Sequence, residues 1–213
     1  MTNKTVVLAL LLLTSSIFLS GCGPKKDTSL PTPTPPPRSF SLNISEQPYI
    51  SLIPRSDGHE IKISLKTWIP SLTKIEYEFI YLAQSEGLEI EKGASGDLTA
   101  DKTEENILLG TASCTNGCKY KYDEGVTGGK VILNLINQQG QVLSLEYPWS
   151  LNRQSDITKK GKIELPSENF SENFKERGGD FYTVIKNPTA YSIFGSSRLI
   201  KDVPLTGSTP TSP

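Results

Sequence analysis

Two kinds of hydrophobic pattern divide this chain. From Val6 to Leu13 the apolar residues run without interruption, whereas from about residue 40 they alternate with polar ones. Ile61, Ile63 and Leu65 are separated by Lys62 and Ser64. Ile75, Tyr77, Phe79 and Tyr81 include Glu76 and Glu78 among their spacers, and Leu88 and Ile90 alternate with Glu89 and Glu91. Val131, Leu133 and Leu135 continue the pattern, as do Leu143, Leu145, Tyr147 and Trp149 after an Asn137-Gln138-Gln139-Gly140 turn. Successive side chains of a strand point to opposite faces, so each set predicts a half-buried β-strand. Shorter runs at 40–44, 49–53, 107–112, 119–122, 162–165, 181–186 and 190–200 predict further strands. Asp57-Gly58, Gly128-Gly129 and Gly178-Gly179 read as the turns between them.

One stretch predicts a helix instead. In Ser167-Glu168-Asn169-Phe170-Ser171-Glu172-Asn173-Phe174 the two phenylalanines stand four apart, on one helical face. Ser167 suits the N-cap, and Gly178 suits the position beyond the C-terminus, giving one short helix within 167–177. An irregular loop is the alternative. Many short strands joined by turn-length gaps predict a mainly β, antiparallel sandwich over 40–204. Strand count and alternation over 40–152 resemble immunoglobulin-like and fibronectin-type-III-like modules. The Cys…Trp…Cys spacing of antibody domains is absent, because Trp68 and Trp149 both lie outside the 114–118 pair. Residues 153–204 read as added strands or a small subunit of the same domain, since some 50 residues make a weak core alone.

The continuous apolar run belongs to a different device. Lys4 precedes it, Thr14-Ser15-Ser16 interrupt it, and Leu19-Ser20-Gly21-Cys22 follows. A basic start, an apolar stretch of roughly 7–15 residues and a small-residue cleavage site make an export signal. The run is too short for the ~20 apolar residues that cross a bilayer. The segment resembles the signal peptide and lipobox of bacterial lipoproteins. That resemblance implies cleavage after Gly21, diacylglycerol and acyl chains on Cys22, and a domain held outside a cell membrane or outer membrane. Ordinary secretion and a permanent membrane anchor are the rival readings of 1–21.

Composition supports the division. Removing residues 1–21 takes away Lys4 and no acid, moving the formal charge from −1 to −2, so no electrostatic footprint for nucleic acid exists. Residues 22–39 include Thr32-Pro33-Thr34-Pro35-Pro36-Pro37, a tether biased to polyproline II at about 3.1 Å per residue. Residues 205–213 read as a frayed tail. With Cys22 used by lipid, Cys114 and Cys118 remain as an even pair. A hairpin loop over Thr115-Asn116-Gly117 would set them opposite each other as a structural disulfide; free thiols or a redox or metal site are the alternatives.

Other candidate chemistry is thin. His59, the one histidine, follows Asp57-Gly58 and reads as an exposed turn residue rather than a catalytic base. Asp97, Thr99 and Asp101 have the spacing that opens a calcium loop, but Lys102 and Leu108 stand where an EF-hand requires Gly and Glu. Glu76/Glu78 and Glu89/Glu91 are the solvent side of alternating strands. No phosphate-cradling loop or G-x-S-x-G elbow is present, and no cofactor is expected beyond the lipid on Cys22. The expected function is therefore a tethered, non-catalytic binding, adhesive or envelope-structural module with an envelope protein or polysaccharide as partner. Loops at 93–106 and 115–129 are its expected contact surfaces. An envelope hydrolase or transport accessory protein with an acidic cleft and a calcium-stabilised module are the alternatives.

Overall fold

A computed structural model describes residues 39–115 and 117–205. The signal segment, Cys22, nearly all of the tether and residues 206–213 lie outside the described residues. In chain order the strands are β1 (Ile50–Pro54), β2 (Glu60–Leu65), β3 (Leu72–Ser85), β4 (Leu88–Leu98), β5 (Glu104–Leu108), β6 (Gly110–Ser113) and β7 (Lys119–Tyr122). They continue with β8 (Glu124–Asn137), β9 (Val142–Arg153), β10 (Lys162–Leu165), β11 (Phe170–Asn173), β12 (Phe181–Lys186), β13 (Ala190–Phe194) and β14 (Leu199–Pro204). One α-helix, α1 (Gln154–Lys160), lies between β9 and β10.

Seven strands make one antiparallel sheet in the order β14-β13-β12-β9-β8-β3-β4. A three-stranded sheet, β1-β2-β5, packs on one of its faces and completes an antiparallel β-sandwich. The two sheets are unequal, seven strands against three. Their shared core follows from the alternation. Ile50, Leu52, Ile61 and Ile63 of the small sheet meet Phe79, Val131, Leu133 and Trp149 of the large one, all at 1 % exposure or less. Phe79 and Trp149 pack with ring centroids 4.7 Å apart, and the Trp149 indole N–H donates to the Ile80 carbonyl at 3.2 Å.

β12 is buried on both faces. Thr183 and Ile185 turn toward the small sheet, while Tyr182 and Val184 turn toward a second core formed with Ile157 of α1, Ile163 and Leu165 of β10, and Phe174. Side chains fasten both coverings to the large sheet. On the first face, the Ile50 N–H donates to Asn187 Oδ1 at 2.8 Å and Asn187 Nδ2 donates to the Ile50 carbonyl at 3.0 Å. The Thr183 hydroxyl donates to the Leu52 carbonyl, so the edge of β1 not paired with β2 is closed by side chains. On the second face, the Glu164 N–H donates to Asn152 Oδ1 at 3.2 Å and Asn152 Nδ2 donates to the Glu164 carbonyl at 3.0 Å.

Several expectations are corrected. The helix expected within 167–177 is a 3₁₀ turn (Pro166–Glu168) followed by strand β11, and the helix stands at 154–160 instead. Phe170 stacks on Tyr191 at 4.1 Å, and Phe174 meets Tyr182 edge-on at 5.0 Å. Gly128-Gly129 is no turn; both residues lie inside β8. A Cβ on Gly129 would come 2.2 Å from the Ile80 carbonyl oxygen, so glycine is required by close strand approach. Residues 40–44 form no strand, and the run 107–112 divides at the buried Leu109 into β5 and β6. The run 190–200 divides likewise into β13 and the start of β14. Leu205, assigned to the tail, still donates its N–H to the Thr189 carbonyl at 3.1 Å. The large sheet ends at β4 and β14.

Candidate functional site at one end of the sandwich

The β1–β2 turn, the β6–β7 hairpin and the start of β8 converge at one end of the sandwich. The turn is held by its own charges. Asp57 accepts from Arg55 Nε at 2.8 Å and from its Nη2 at 2.8 Å, and it also accepts from the His59 backbone N–H at 3.0 Å. Arg55 Nη1 meets Glu60 at 2.8 Å. The Arg55 guanidinium foremost holds the Asp57 carboxyl down to about 2, overcoming the opposing effect of burial, and the His59 N–H adds to it. Gly58 has φ 73°, and a Cβ there would strike the Phe181 ring at 2.5 Å. The turn therefore sits flush on β12.

An open cleft of about 510 Å³ runs beside this turn, lined among others by Gly58, His59, Asp123, Arg153, Asp156 and Phe181. The Arg153 guanidinium lies 5.7 Å over the Phe181 ring. Asp123 is already engaged: the Tyr81 hydroxyl donates to it at 2.7 Å and Lys92 Nζ pairs with its other oxygen. Burial, with Asp123 adding to it, pushes the Tyr81 hydroxyl well above the usual tyrosine range.

At the rim of the cleft the His59 imidazole stacks on Tyr122, centroids 3.9 Å apart and planes 3° from parallel. Tyr120 follows at 6.2 Å from Tyr122, its plane within 2°. Tyr120 is 54 % exposed and Tyr122 37 %. Both stand on one side of β7, whose partners across the hairpin are the small residues Ala112 and Gly110. Lys119 and Lys121 occupy the alternate positions, exposed and without an ion pair among the described residues. A disulfide between Cys114 and Cys118 closes the hairpin. Every residue of β7 is exposed, so the hairpin is held by its ladder, the disulfide and the His59 stack rather than by a core.

The sequence-derived candidates are placed as follows. Cys114 and Cys118 are joined as a disulfide. His59 is a half-exposed turn residue, and its partner Tyr122 was not among the candidates. Asp97, next to last in β4, stands opposite Glu76 and lies 3.7 Å from Lys74, while Thr99 and Lys102 exchange backbone hydrogen bonds across a tight turn. Asp101 is exposed on that turn. Among the described residues no three His, Cys, Asp or Glu side chains gather as a metal site. The expected contact loops 93–106 and 115–129 are largely strand; 99–103 and the disulfide-closed tip are what remain as connections. Cys22 lies outside the described residues. No described helix is long and apolar enough to cross a membrane.

Tyr120 and Tyr122 were the signal missed in the sequence. Lys119-Tyr120-Lys121-Tyr122 alternates aromatic and charged residues beside a cysteine pair, with no aliphatic residue to carry it into a core. Compared with known proteins, the chain matches no family model, no curated protein and no solved structure.

Proposed function

We propose that the chain is a lipid-anchored envelope protein, acylated on Cys22, whose β-sandwich is a non-catalytic binding module on the extracytoplasmic side. The observation that carries this reading is Leu19-Ser20-Gly21-Cys22 immediately after a short, interrupted apolar run. Two acyl chains or more, at about 0.8 kcal/mol per buried CH₂, hold a small domain stably on a bilayer. The Cys114–Cys118 disulfide supports the export reading, because such bonds persist in oxidising compartments. The exposed rings of Tyr120 and Tyr122 support the binding reading, since tyrosine supplies large contact area at low entropic cost.

Intact-mass spectrometry of the chain recovered from bacterial membranes tests the anchor. The expected species begins at Cys22 and carries diacylglycerol, and Cys22→Ser shifts the protein out of the detergent phase. A chain beginning at an unmodified residue, or retaining Met1, rejects the proposal.

A further inference from the structure

We infer that a polar cavity beside α1 binds a free α-amino acid as its zwitterion; this rests on the binding-module reading and gives it a ligand class and a place. The cavity, of about 630 Å³, lies among α1, the residues leading into β12 and the β13–β14 connection. It shares no lining residue with the cleft of about 510 Å³, although Ser56 of the β1–β2 turn lines it. Two buried side-chain oxygens among the described residues lack a hydrogen-bond partner, Gln154 Oε1 and Ser196 Oγ, and both residues line this one cavity. Leaving such groups unmatched is costly, so their meeting at one place points to a ligand that matches them.

The local structure leaves these oxygens unengaged. The Gln154 N–H donates to the Asp180 carbonyl at 2.8 Å, which ties α1 to the approach to β12. Gln154 Nε2 donates to Thr158 Oγ1 at 3.1 Å, so the donor side of the amide is occupied and its acceptor is left over. Gly178-Gly179, which reads as a turn in the sequence, forms a wall of the cavity. A Cβ at Gly179 would come 3.3 Å from Ser196 Oγ, so glycine leaves that hydroxyl room to turn into the cavity.

Charge narrows the class. Arg177 and Asp180 line the cavity, exposed, and neither forms an ion pair among the described residues, with the other or with a third group. A guanidinium only donates and a glutamine oxygen only accepts. A matching ligand therefore carries a carboxylate for Arg177 and Ser196 and an N–H-bearing cation for Asp180 and Gln154. An α-amino acid holds both on one carbon. A lone anion would be repelled by Asp180, and a lone metal ion by Arg177. The described lining has no aromatic ring for the face of a sugar and no apolar side chain for a lipid. The class is that of amino acids with small or polar side chains.

Titration calorimetry of the full-length chain with glycine, L-serine and L-asparagine in turn tests this, with trimethylglycine as the control. Trimethylglycine has the same two charges but no N–H to give Gln154. At least one of the amino acids is expected to give saturable heat, with an affinity about ten-fold or more above that of trimethylglycine. Gly179 has no positive φ, so Gly179→Ala should lower that affinity about ten-fold at unchanged melting temperature. Arg177→Gln should lower it similarly. Ser196→Ala should weaken binding without lowering the melting temperature, since it removes an unmatched oxygen. Binding of none of the amino acids, equal binding of trimethylglycine, or a Gly179→Ala chain that binds like the parent overturns the inference. Cys22→Ser is expected to bind as the parent does, so failure of the anchor and failure of the amino-acid site are told apart.

Discussion

The two faces of the seven-stranded sheet are covered in the same way and to different depth. On each, an asparagine side chain from the large sheet or its connection exchanges two hydrogen bonds with one backbone residue of the covering layer. Asn187 does this to Ile50 and Asn152 to Glu164. An amide side chain has the donor and acceptor of a peptide group, so it serves as a one-residue strand where no real strand can pair. Asn187 is 1 % exposed and also donates to the Ser192 hydroxyl at 2.9 Å. Asn152 is only half-buried and shares the Glu164 carbonyl with the Ser150 hydroxyl, which donates at 2.6 Å. The same device therefore stands in dry surroundings on one face and near water on the other. Depth decides its worth, because an unmatched polar group costs most where water cannot replace the lost partner.

Replacing Asn187 by Ala should separate the faces most clearly. It leaves both backbone groups of Ile50 without partners in the core, an expected loss of about 2–5 kcal/mol from two unsatisfied buried groups. Urea unfolding reads this as a lower midpoint at unchanged slope. Asn152→Ala should cost about 1 kcal/mol, the ordinary net value of a hydrogen bond, since water and Ser150 can serve Glu164. Equal losses for the two variants would refute depth as the controlling variable. The smallest effect is the coupling between them. The clasps share no partner and lie on opposite faces, so the double variant should equal the sum of the singles within about 0.5 kcal/mol.

How far the sequence disclosed this follows from particular residues. Alternation located β2, the middle of β3, β8 and β9 because each has one dry face, and a period of two is then enforced by burial. It failed at Phe170 and Phe174 for a reason of arithmetic: a spacing of four keeps one face of a helix and also one face of a strand. It failed at 154–160 because α1 buries only Ile157, too little to write a helical period. Gly128-Gly129 was misread because a glycine tolerated for close strand approach looks the same as one needed for a turn. The disulfide was readable from local spacing alone. The His59–Tyr122 stack was not, since the two residues stand 63 apart and meet only after β5 has led the chain out of the small sheet into the hairpin.

The free edges of the large sheet carry a further consequence, for crowding. On the anchored reading proposed above the chain is held in a plane, where it meets its own copies far more often than in a volume, and an open strand edge is a template for adding another chain. β4 carries Glu89, Glu91, Lys92 and Asp97 along its edge, and β14 carries Lys201 and Asp202 before ending in Pro204, which has no N–H to donate. Extending the sheet at either edge would bring these charges against a neighbour's strand. Seven strands is thus a stopping point written into the edges, and copies can lie side by side without merging into one continuous sheet.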